Sequence, residues 1–543
     1  MRFHLHPPRL TRPGTAIVAV AFIFLSAGSL RLQAQAAAPQ AKIDSGTLQG
    51  AWVTSASHVA AFLGIPYAAQ PVGNLRWRAP QPPPPWTGIR EAIQYGPACP
   101  QTPSPWLPEM LGIQKMVTNE ACLYLNVWTP NLRGAAKLPV MVWVHGGGNV
   151  EGSAEWPPLG ATLAHEGVVV VSLNYRLGVF GFFAYPALAA ESPHHVSGNY
   201  GHLDQVEALR WVKRNISRFG GDPNNVTVFG ASSGALDICN LMASPIAAGL
   251  FQRAIMQSGV CVDSVYPVTR QAESNGELLA KDLGIETGPG SLAALRALPA
   301  EKLLLEAAKD NRIDLEPVVD GWFFPQQPAT TFANGKQARI PVIVGSNNDE
   351  VSIFASPLVG GKSNRPKTVE AYRQWLHREF GSMADRVFAQ YPATSDKDVP
   401  AVFRTMDTDF DFGFGARLLA IEMAQIHQPA YLYHFTYAGA GAFAALGAFH
   451  SEESMFLSKK YWTTWVRQPY DKTLSNAIIG YWVQFAKKGD PNTSALPAWP
   501  VYQTTTDLCQ ELGRRIGAER VPRAERFAVF QQFLDSRLAK SSK

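Results

Sequence analysis

The feature that most constrains this chain is Gly230-Ala231-Ser232-Ser233-Gly234, entered straight from the apolar run Val226-Thr227-Val228-Phe229. The pattern G-x-S-x-G demands a strand, a sharp turn and a helix, with the serine hydroxyl held in strained backbone above the sheet. Small flanking residues are needed because the backbones pass close together there. The preceding run is β-branched, and Ala235–Met242 can continue as a helix, so the context fits the motif.

Other runs read as buried strands: Val140–Val144, Val168–Leu173, Ala254–Met256, Pro341–Val344 and Tyr431–Tyr433. They are continuous rather than alternating, as expected where helices cover both faces of a parallel sheet. Asp204–Val212 carries apolar residues at helical spacing between two of them. Alternating strands and helices predict a doubly wound α/β fold. Active sites of such sheets gather at the carboxyl ends of the strands, where Ser232 falls. With 543 residues, no internal repeat and no long linker, one large catalytic domain over 37–543 is the simplest organisation. Pro80–Trp86 reads as an extended surface loop.

The first 36 residues read as a secretory signal peptide. Arg2, Arg9 and Arg12 precede the apolar run Thr15–Leu30, and cleavage is expected after Ala36. The run is shorter than the roughly 20 residues a membrane-spanning helix needs. Removing Arg2, Arg9, Arg12 and Arg31, with no acid among them, takes the formal charge from +5 to +1. A near-neutral surface gives no reason to expect nucleic acid or an anionic membrane as partner. The expected location is secreted or periplasmic. Export permits disulfides, and the five cysteines (Cys99, Cys122, Cys239, Cys261, Cys509) leave at least one unpaired. Their spacing does not suggest a zinc site.

A second strand end carries His145-Gly146-Gly147-Gly148. Ester hydrolysis passes through an oxyanion that needs preorganised N–H donors, and a glycine run lets bare amides approach. The candidate donors are Gly147, Gly148 and Ser233, the last following the nucleophile. His145, at the loop entrance, is read as shaping the loop rather than as a base. A serine needs an adjacent base, and the base a carboxylate. The order for this elbow is Ser, then Asp or Glu, then His. Asp349 and Glu350 both follow the strand at Pro341–Val344, and spacing alone does not separate them. The base candidate is His450, in the loop after the run Tyr431–Tyr437; His434 lies inside that run, and His194 and His195 precede the serine.

These residues together resemble the type-B carboxylesterases, the cholinesterase-like branch of the α/β-hydrolases. Phe62–Ala68 with Pro71, Gly73, Arg76 and Pro80 is similar to an N-terminal signature of that family, and Glu120–Val127 to a second. Asn199-Tyr200-Gly201, Asp204-Gln205, Phe219–Pro223, Gln257-Ser258-Gly259, Pro317–Gly321, Gly489–Asn492 and Trp499–Tyr502 extend the likeness over nearly the whole mature chain. The resemblance implies an α/β-hydrolase fold with a large, mostly parallel, twisted central sheet, helices on both faces, and inserted loops and helices roofing the active site. It implies Ser232 as nucleophile, Glu350 as acid and His450 as base, an oxyanion hole of Gly147, Gly148 and Ser233, a Cys99–Cys122 disulfide, and a small-molecule ester as substrate, and it implies no metal or cofactor.

Three departures stand out. Ala231 and Ser233 replace the family's usual Glu and Ala around the nucleophile, and Ala121 replaces an Asp. The missing glutamate takes away a negative charge that would favour a protonated histidine, so a differently tuned pH–rate profile is expected. Cysteines for the family's second disulfide are not at their usual place, and a Cys239–Cys261 link is the alternative. The same triad would also serve an amidase, carbamate or thioester hydrolase. A non-catalytic binding protein on this fold would be expected to lack the nucleophile or the histidine, and both are present. Trp106, Trp322, Phe354, Phe443 and Phe449 are candidates to line an apolar pocket, or to pack the core.

Overall fold

A computed structural model describes residues 37–54, 58–102, 116–132, 134–309, 315–356, 365–462 and 465–541. The leader expected over residues 1–36 and Trp106 lie outside the described residues. The strands are β1 Gln40–Ile43, β2 Gly46–Gln49, β3 Ala51–Trp52, β4 Ala60–Pro66, β5 Ile89–Glu91, β6 Tyr124–Thr129, β7 Leu138–Val144, β8 Val169–Leu173, β9 Gly221–Ala231, β10 Arg253–Gln257, β11 Val342–Asn347, β12 Ala430–Phe435, β13 Leu508–Leu512 and β14 Ile516–Arg520. β1, β2 and β5 form a small separate sheet; the other eleven run in the order β14-β13-β12-β11-β10-β9-β7-β8-β6-β4-β3. From β8 through β13 neighbours are parallel, and antiparallel pairs close both edges. This is the α/β-hydrolase architecture expected from the sequence.

All six expected strand runs lie in the parallel block, and side-chain alternation along them divides the core in two. Val140, Val142, Val144, Val226, Val228, Val342 and Val344 point to one face. They pack with α1 (Tyr200–Asn215), α2 (Ser233–Ala243) and α3 (Phe414–Gln425). Met141, Trp143, Phe229 and Ile343 point to the other, beneath α4 (Glu452–Ser458) and α5 (Pro469–Lys488). Both faces are thus dry, which is why these segments are apolar throughout.

The parallel register sets one row of residues side by side at the carboxyl edge: Ala231 opposite Gln257, Gln257 opposite Gly345, and Gly345 opposite Tyr433. Each strand therefore delivers its following loop to the same edge. Cys99 and Cys122 lie at disulfide distance, with Cα atoms 5.0 Å apart, and so do Cys239 and Cys261, at 5.5 Å. Cys509 is buried and unpaired, and burial pushes its thiol well above the ordinary range. Among the described residues no helix is long and apolar enough to cross a membrane.

One buried ion pair ties the start of α1 to the loop after β8. Arg176 donates from Nε and Nη2 to the two Asp204 oxygens, both at 2.7 Å, and its backbone amide adds a third bond at 3.0 Å. Removing one partner strands the other charge in the interior. Asp204→Ala is expected to destabilise the protein by about 3 kcal/mol, seen as a lowered thermal midpoint. A midpoint like that of the parent would refute this.

Candidate active site

β9 ends at Ala231, α2 begins at Ser233, and Ser232 between them has φ +58° and ψ −132°. A side chain in that region costs on the order of 1–3 kcal/mol, held by the surroundings. What holds it is visible at the flanking glycines. A Cβ on Gly234 would stand 2.2 Å from the Val144 carbonyl oxygen, and one on Gly230 2.7 Å from the same atom. On the other side a Cβ at Gly259 would lie 2.3 Å from the Ser232 carbonyl oxygen. The Ser232 amide donates to the Gln257 carbonyl at 2.8 Å. The elbow is therefore wedged between the ends of β7 and β10.

The two candidate acids have different partners. Glu350 opens a short 3-10 turn after β11 and is fully buried. One of its oxygens accepts from the Asn347 amide at 2.7 Å; the other faces His450 Nδ1 at 2.6 Å. The His450 amide donates back to the Glu350 carbonyl at 3.1 Å. Asp349 instead accepts from the Ala448 amide and from Asn348, and stands 3.7 Å from Arg404. It braces the histidine loop without touching the ring. The carboxylate on Nδ1 fixes that nitrogen as the donor and leaves Nε2 as the acceptor. His450 Nε2 is buried and has no hydrogen-bond partner among the described residues, so no hydrogen bond joins it to Ser232 Oγ. Such bonds are often long in ligand-free enzymes and tighten around substrate. The ring lies between Phe354, at 5.1 Å, and Phe412, at 4.9 Å.

The glycine loop after β7 turns through φ +115° at Gly147 and +62° at Gly148. A Cβ at Gly147 would stand 2.2 Å from the Glu151 carbonyl oxygen. The Gly147 carbonyl accepts from Val150 and Glu151, closing the turn. Among the described residues, the amides of Gly147, Gly148 and Ser233 donate to no protein acceptor. His145 is buried, its Nδ1 is bonded to the Gly146 carbonyl at 2.9 Å, and its ring stacks on Tyr175 at 4.4 Å. Burial pushes its pKa down to about 4. It is a neutral strut under the loop. His434, in β12, pairs with Glu519, and His194 stacks on Trp322.

Several residues lacked a sequence signal. Gln257 Nε2 donates to Glu453 at 2.8 Å, and Asn347 Nδ2 donates both to Glu453, at 2.7 Å, and to the Phe449 carbonyl, at 2.6 Å. This chain of bonds joins β11 and β10, whose Gln257 carbonyl holds the Ser232 amide, to the loop that holds His450. Glu452 and Glu453 are both fully buried, and burial raises both above the usual carboxylate range. Phe412 sits in a five-residue π-turn, Asp409–Gly413, between two α-helical segments, a local irregularity that periodicity does not disclose. Of the candidate pocket aromatics, Phe354 is 51% exposed beside His450, whereas Phe443 and Phe449 are buried against each other and Trp462.

A sequence profile of the carboxylesterase family matches residues 37–530. Fumonisin B1 esterase of Sphingopyxis macrogoltabida is 37% identical, over 93% of this chain and 92% of that protein. The medium-chain fatty acyl-CoA hydrolase precursor of Anas platyrhynchos is 32% identical, over 91% of this chain and 94% of that protein. Among solved structures, a PNB esterase superposes with a TM-score of 0.76 at 33% identity, covering 91% of this chain and 99% of that one.

Two outcomes are expected from this geometry. Gly234→Ala forces a methyl group onto the β7 carbonyls and should cost at least a hundredfold in kcat for ester hydrolysis, on the order of what one misplaced oxyanion donor costs; parent-like turnover would contradict it. The second concerns His145, which ordinarily titrates at 6.5 and here at about 4. Below 6.5 the unfolded chain takes up a proton that the folded chain refuses, so the stability from this site is full above 6.5 and is lost as pH falls toward 4. His145→Gln should flatten that part of a thermal-midpoint-against-pH curve, and an unchanged curve would count against the assignment.

Proposed function

Because the chain belongs to the carboxylesterase family and is a carboxylic ester hydrolase, we propose that it works through an acyl-enzyme on Ser232, with His450 as general base and acid and Glu350 as the carboxylate that orients it. The observation that carries this is the Glu350–His450 contact of 2.6 Å beside an unpartnered, buried Nε2. His450 Nε2 takes the Ser232 proton as Oγ bonds to the ester carbonyl carbon. The displaced electron pair becomes an oxyanion, met by the amides of Gly147, Gly148 and Ser233. The C–O bond to the alcohol then breaks, and the imidazolium returns its proton to that oxygen. Water, deprotonated by His450, attacks the acyl carbon and releases the acid. Glu350 stays ionised throughout.

The substrates in this reading are small-molecule esters admitted past Phe354 and Phe412. Thioester hydrolysis is the second reading, favoured by the likeness to a fatty acyl-CoA hydrolase over 91% of the chain. The same intermediate serves both, since only the leaving atom differs. We also propose export, supported by the basic and apolar N-terminal pattern and by two cysteine pairs at disulfide distance.

A fluorophosphonate probe should label Ser232 and abolish ester turnover. Ser232→Ala should remove both labelling and activity, and His450→Gln should lower kcat by roughly 10⁴-fold or more with the fold intact. Retained turnover in Ser232→Ala overturns the assignment.

A further inference from the structure

Asn149 follows the glycine loop in a left-handed conformation, φ +59°, and is 7% exposed. All four of its polar groups are engaged. Its amide donates to Ser233 Oγ at 3.1 Å, and its carbonyl accepts from the Gly178 amide at 2.7 Å. Its side-chain Nδ2 donates to Asp237 at 2.9 Å, and its Oδ1 lies 3.0 Å from the Tyr175 hydroxyl. Asp237, one turn along α2 from the elbow, is fully buried and also binds Gln205 Nε2 at 2.6 Å and His202 Nε2 at 3.0 Å. The Tyr175 hydroxyl also approaches the His145 carbonyl at 2.8 Å, so it stands against an oxygen at each end of the glycine loop.

The Asn149 amide donates to Ser233 Oγ, and the Tyr175 hydroxyl stands against both the His145 and the Asn149 oxygens. These contacts bracket Gly146, Gly147 and Gly148. Glycines supply bare amides but have no side chains to hold them, so their aim is set by what grips the loop at its two ends. His145 and Asn149 are those ends; Asn149 is bound to the residue after Ser232, and the Tyr175 hydroxyl spans the two.

We propose that the Ser233 hydroxyl is a positioning residue for the oxyanion hole, fastening the glycine loop to the nucleophile elbow through Asn149, whose side chain Tyr175 in turn ties to the loop's other end. The Ser233 backbone amide serves as a donor to the oxyanion; its side chain holds the opposite donors at the right distance from that amide. Alanine at this position, which the family usually carries, would leave the amide in place and release the loop. This rests on Ser232 being the nucleophile.

The test compares Ser233→Ala with the parent, on a chromogenic ester and on an aryl trifluoromethyl ketone. That ketone bonds to Ser Oγ, its carbonyl pair becoming an oxyanion in the hole while the serine proton passes to the histidine. Ser233→Ala is expected to lower kcat about tenfold with KM within about twofold, and to weaken the ketone by a similar factor, a fraction of what losing a whole donor costs. Asn149→Gly tolerates the left-handed backbone and keeps the amide but lacks the bonds to Asp237 and Tyr175; it should move both readouts the same way, and it carries the test if Ser233→Ala does not fold. The proposal is overturned if kcat and ketone affinity both stay within twofold, or if kcat falls while ketone affinity does not. Fluorophosphonate labelling at Ser232 is expected to persist in both variants. Failure of labelling in the parent would instead sink the underlying triad, so the two failures are distinguishable.

Discussion

The crossing of two backbones at the carboxyl edge of the sheet sets the terms for everything around it. β9 cannot turn into α2 at Ser232 unless Gly230 and Gly234 slide past the last carbonyls of β7 with no side chain between. Because β7 is pinned there, the loop that follows it starts within reach of the elbow. Because β9 pairs in parallel with β10, and β10 with β11, the strands bearing the acid and the histidine's support end in the same row. The loops that carry Ser232, Glu350 and His450 are brought to one edge by strand register, not by any sequence-local motif.

That edge is crowded with buried polar groups, and the interior tolerates them only because they bind one another. Glu350, Glu453 and Asp237 are all fully buried, and each accepts at least two hydrogen bonds. Each carboxylate oxygen that burial removes from water is met by a protein donor instead. The result is rigid. A carboxylate held by two donors cannot swing, and a histidine held by that carboxylate presents one nitrogen in one direction. The site obtains its precision from groups that never meet the substrate.

Much of this was legible in the chain. The sharp turn at Ser232, the glycine loop and the parallel block were readable because each depends on a local pattern: small residues at a turn, or an unbroken apolar run. Ser232, the Asp349-Glu350 pair and His450 were readable as residues beyond strand ends because each follows such a run. Asp349 and Glu350 were not separable from spacing, since adjacent residues on a turn point in different directions and only the fold says which one faces the ring. β9 reaches back to Gly221 across Asp222-Pro223-Asn224-Asn225, a stretch with the composition of a turn; pairing of Leu138 with Gly221 and a register shift absorb it. The edge strands β3 and β14 were missed because they are short or half exposed, and their pairing, not their pattern, makes them strands. Gln257, Asn347 and Asp237 gave no signal, as a buried amide or acid looks in sequence like a surface one.

The dihedral pair at residue 232 also restricts which nucleophiles this scaffold admits. With φ at +58° the space around Cβ is already crowded by the residue's own backbone. A primary alcohol or thiol on an unbranched carbon fits; a branched one sets a methyl group against the main chain. Threonine, whose hydroxyl is chemically competent elsewhere, is thus disfavoured by conformation rather than reactivity. The requirement for an unbranched Cβ at this apex is written into the backbone.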